Sequence, residues 1–193
     1  MHVFITHSYA GTLQGKYRCI FYYLLEDDVE AQSTFVRELD LQLEEMGRHL
    51  KDSAAVVRPF SRDIEAARQH VLSKHWTTEE LERVSDTPGL LMINVDFDAF
   101  DPRAHSWLHL GFGGAVRTGT TPAAEYSALL GALANAIRRT NEDVFKVARS
   151  VIQEAGLKDA AEVFEAKPGI LGISIDLEEG AALLDKLWQR LIA

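Results

Sequence analysis

The sequence holds one cysteine, Cys19, among 193 residues. A lone thiol makes no internal disulfide and no multi-cysteine zinc site, so both frameworks are excluded. Its neighbourhood, "YRCIFYYLL", is apolar and predicts a buried, inert thiol rather than a nucleophile. Basic charge is also short: 20 Lys and Arg face 29 Asp and Glu, for a net charge of −9. A general nucleic-acid surface needs clustered cations to displace counterions, and this balance argues against one. No apolar run reaches the roughly 18 residues of a membrane span. The first residues lack a basic stretch followed by an apolar core, which predicts no signal peptide and a cytoplasmic protein. Neither the Walker phosphate loop nor the dinucleotide fingerprint G-x-G-x-x-G occurs. No low-complexity tract or Pro/Gly/Ser linker divides the chain, so one domain is predicted over residues 1–193.

What is present is an alternation of two hydrophobic periods. "HVFI" (2–5) and "YRCIFYYLL" (17–25) read as strands. Phe35, Leu39, Leu43, Met46 and Leu50 recur at spacings of three and four, predicting an amphipathic helix over about 28–51. "AAVVRPF" (54–60) is a strand stopped by Pro59. Ser61 caps a helix over 62–74, and Thr77 with Glu80 forms a capping box for another over about 78–85. Pro88-Gly89 leads into a buried strand, and the loop 103–121 has room for a further strand around "WLHLGF". Thr121-Pro122 opens a helix carrying Leu129, Leu130, Leu133 and Ile137. Helices over about 141–155 and 158–165, a strand in "KPGILGISID" and a helix over 177–192 close the chain. Alternating strands and helices predict an α/β domain: a mostly parallel, or mixed, sheet of about five strands flanked by helices.

The chemistry concentrates in "PGLLMINVDFDAFDP" (88–102), whose apolar run ends in Asp96, Asp98 and Asp101. Side chains two apart on an extended segment share a face, so Asp96 and Asp98 point together. Close carboxylates resist joint ionisation unless a cation sits between them, and Mg²⁺ or Mn²⁺ with hard oxygen ligands is the usual resolution. Asp101 is a candidate third ligand. The plain alternative is a strand end followed by Asx turns.

Residues 88–97, "PGLLMINVDF", share a pattern with 168–177, "PGILGISIDL". Each is a Pro-Gly turn, a continuous apolar run and an aspartate, which predicts two strands buried on both faces. If these strands are parallel neighbours, Asp96 and Asp176 emerge at one rim, and Asp176 joins the metal ligands. Asp176 with Glu179 also reads as a capping box for the last helix. His7 and Ser8 follow the first strand and Arg58 ends another, so they join that rim, where α/β sheets bind ligands. The glycine-rich "GFGGAVRTGTTP" (111–122) precedes a helix and carries Arg117. Together these residues predict a divalent-metal-dependent enzyme, a hydrolase acting on a phosphorylated or nucleotide-like substrate. Arg58 and Arg117 would take the phosphate, and His7 and Asp98 the proton and metal chemistry. His105 and His109, four apart, read as paired surface histidines; Trp107 and Trp188 read as core or interface anchors.

Two local resemblances bear on this. "DFDAFDP" (96–102) resembles the metal-binding strand of the arginase-like ureohydrolases, D-x-D-x-x-D-P. That likeness implies a metal at Asp96, Asp98 and Asp101, but the family's Asp-Ala-His-x-Asp and Gly-Gly-Asp-His runs are absent. "VFITHS" (3–8) is similar to the opening strand of TIR domains, and "FVRELDLQLEEMG" (35–47) sits roughly where such a domain keeps its first helix. This implies a different function: a non-catalytic signalling or interaction module that forms homo-oligomers. The family's catalytic Ser-x-x-Trp-x-x-Glu context has no counterpart, since "HSWLHL" has the tryptophan without the acid.

Overall fold

The computed structural model describes residues 4–6, 13, 16–24, 34–58, 89–96, 99–112, 124–154, 161–167 and 170–176. The elements are strands β1 (Phe4–Thr6) and β2 (Cys19–Leu24), helix α1 (Thr34–Leu50), and strands β3 (Ala54–Arg58), β4 (Gly89–Ile93) and β5 (Trp107–Gly111). Helices α2 (Ala124–Arg139) and α3 (Val144–Glu154) follow, then strands β6 (Ala161–Lys167) and β7 (Ile170–Asp176). Among the described residues, seven strands form one sheet in the order β1-β3-β2-β4-β5-β7-β6.

The sheet is mixed, and the α/β class expected from the alternation is what forms. Strands β1, β3, β2, β5 and β7 run one way; β4 and β6 run against them. The first strand lies at an edge, whereas the common doubly wound orders keep it inside.

The apolar periods explain the two layers. Along α1, Val36, Leu39, Leu43, Met46 and Leu50 are buried at spacings of three and four, while Leu41 between them is 66% exposed. Helices α1, α2 and α3 bury their stripes against Cys19, Phe21, Tyr23, Val56, Leu90, Met92, Leu108 and Leu110 on one sheet face. The alternate residues Ile20, Tyr22, Leu24, Val57, Leu91, Ile93 and Trp107 form a second cluster on the other face. Trp107 is thus the core anchor its sequence context suggested.

Local chemistry sets the helix ends. Asp143 caps α3, its Oδ1 accepting the amides of Phe145 at 2.8 Å and Lys146 at 3.2 Å. Arg18 closes the other end of α2, its guanidinium donating to the carbonyls of Ile137, Thr140 and Glu142. Lys51, with φ of 52°, takes the left-handed turn that ends α1.

One element departs from expectation. The predicted short helix over 158–165 is instead strand β6, antiparallel to β7. Without β6, β7 would present a row of unpaired amides and carbonyls at the sheet edge, and satisfying them outweighs weak local helix preference. The helices predicted over 62–74, 78–85 and 177–192 lie outside the described residues.

Candidate functional site

The aspartate-rich turn after β4 is built largely from its own backbone. Asp96 is only 7% exposed, and its Oδ1 accepts the amide of Leu13 at 3.1 Å. This bond ties the segment between β1 and β2 to the end of β4. The Asp96 carbonyl accepts the amide of Ala99 at 3.0 Å. Asp101 makes an Asx turn, its Oδ1 accepting the Arg103 amide at 2.8 Å, while its carbonyl accepts the amides of Ala104 and His105. The Asp101 amide donates to His105 Nδ1 at 3.0 Å, and Trp107 Nε1 donates to the Pro102 carbonyl. Asp98 lies outside the described residues. Among the residues whose side chains are described, no three His, Cys, Asp or Glu gather to hold an ion.

A mutation separates these roles. Asp96→Ala leaves the Leu13 amide buried without its acceptor and is expected to cost about 1–3 kcal/mol. Asp96→Asn keeps an acceptor oxygen and should cost clearly less. Urea unfolding of the two variants measures the difference; equal stabilities would show that the bond contributes nothing.

The shared rim expected for Asp96 and Asp176 does not form. Strand β4 pairs antiparallel with β5, and β5 pairs parallel with β7. Gly89 is therefore level with Gly111 and Asp176, whereas Ile93 is level with Trp107 and Gly172. Asp96 lies past Ile93, at the rim opposite Asp176; the strand ends differ by roughly 13 Å along the sheet. The two look-alike segments both form strands but run in opposite directions, because an apolar run encodes a strand without encoding its sense.

The remaining candidates sort by strand direction. At the rim where β1, β3, β2, β5 and β7 end, Thr6 is paired with Arg58, and Gly111 with Asp176. Arg58 ends β3 and Asp176 ends β7, four strand spacings or about 19 Å apart, too far for one small ligand. His7, Ser8 and Arg117 lie outside the described residues. The glycine-rich segment holding Arg117 joins β5 to α2, so it starts from Gly111, the register partner of Asp176.

Two side chains behave as their surroundings dictate. Burial pushes the Cys19 thiol from 9.0 up to about 12, against the opposing pull of the Arg18 charge. Such a thiol is no nucleophile at neutral pH. His109, expected at the surface with His105, is instead 1% exposed. "WLHLG" is a strand, so Trp107, His109 and Gly111 alternate with Leu108 and Leu110, and His109 is carried to the interior with Trp107. The signal was the period of two; reading His105 and His109 at helical spacing missed it.

Compared with known proteins, the chain matches no family model, no curated protein and no solved structure.

Proposed function

We propose that this protein is a divalent-metal-dependent enzyme that binds a phosphorylated or nucleotide-like substrate at the rim between β5 and β7. The observation that carries the reading is the register pair Gly111 and Asp176. Adjacent parallel strands lie about 4.8 Å apart, so Gly111, after which the glycine-rich sequence continues, and Asp176 are backbone neighbours at one end of the sheet. Glycine permits close backbone approach to an anion, and Arg117 on the same connection supplies a fixed positive charge. Asp176 supplies a hard oxygen for Mg²⁺ or Mn²⁺, with phosphate oxygens and water completing the shell. A cation so held neutralises charge on a transferring or hydrolysing phosphoryl group. Arg58 ends β3 on the distant half of the same rim and is not assigned to this phosphate.

The test is thermal unfolding with Mg²⁺ or Mn²⁺ and, separately, inorganic phosphate or a nucleoside triphosphate. A ligand at a hundredfold excess over its Kd adds about 2.7 kcal/mol, a shift of several degrees. Arg117→Ala should lose the anion-dependent shift, and Asp176→Asn only the metal-dependent part. Asp96→Asn should keep both. If none of these probes moves the melting temperature, the reading is wrong. A metal-indifferent, concentration-dependent oligomer on gel filtration would favour the interaction module instead.

A further inference from the structure

We draw no further inference here: the strongest candidate, the groove between α1 and α2 lined by Gln42, Glu45, Met46, His49, Ser127 and Gly131, carries nothing, because nothing in the structure shows what covers it.

Discussion

Phe21→Ala is expected to destabilise the protein by about 3–5 kcal/mol, because it removes an aromatic ring from the centre of the sheet and leaves a cavity there. Phe21 has no exposed surface and lies in β2, opposite Val56 on one side and Met92 on the other. It belongs to the cluster that α1, α2 and α3 cover, so neighbours from both layers would lose contacts. Domains of ordinary stability hold about 5–15 kcal/mol in total, so this substitution leaves a protein close to its unfolding threshold. Leu41→Ala is the matched control: the side chain is 66% exposed and the change should stay within about 0.5 kcal/mol. Urea titration of both variants decides the matter. A Phe21→Ala midpoint close to wild type would mean that β2 does not sit between these two neighbours.

Native Cys19 is expected to alkylate roughly a thousandfold more slowly at pH 8 than the same thiol in the denatured chain. The thiolate is the reacting form, and burial raises the thiol from 9.0 to about 12 despite the Arg18 charge. Steric exclusion adds to that factor, since the residue is fully buried. The same shift has a consequence for stability, with a definite sign. Below pH 9 the thiol is protonated in both states and its contribution is complete. As pH rises through 9 toward 12 the unfolded chain ionises first and binds fewer protons, so stability is lost. The stability difference between wild type and Cys19→Ala should therefore shift against the wild type between pH 8 and pH 11. Iodoacetamide labelling followed by mass spectrometry tests the first expectation, and paired urea titrations across that pH range test the second. Native labelling as fast as denatured labelling would place Cys19 outside the core.

Several features were legible residue by residue. The stripe through Leu39, Leu43, Met46 and Leu50 located α1, since a helix must place every third or fourth residue on one side to bury it. "YRCIFYYLL" locates β2 and forecasts the inert thiol, and the apolar runs after the two Pro-Gly pairs of the sequence locate β4 and β7. The candidate site was legible only in part. The sequence pattern groups Asp176 with Asp96, whereas the strand carrying Asp96 ends at the other side of the sheet. The spacing of His105 and His109 fits a helical period and a surface position, yet His109 is buried in a strand.

Hydrophobic period and composition are local, and they suffice for the class of fold, the identity of most core residues and the fate of the single cysteine. The direction of a strand is not local. An apolar run from Leu90 to Ile93 is equally buried whichever way it points, and only its hydrogen bonds to β2 and β5 turn it against them. That reversal sends Asp96 to one rim and leaves Asp176 beside Gly111 at the other. Pairing also turned residues 161–167 into an edge strand and brought Glu162 level with Ser174. Backbone groups must find partners wherever they are buried, and the partners are far away in sequence, so which acids meet is settled by the assembled sheet.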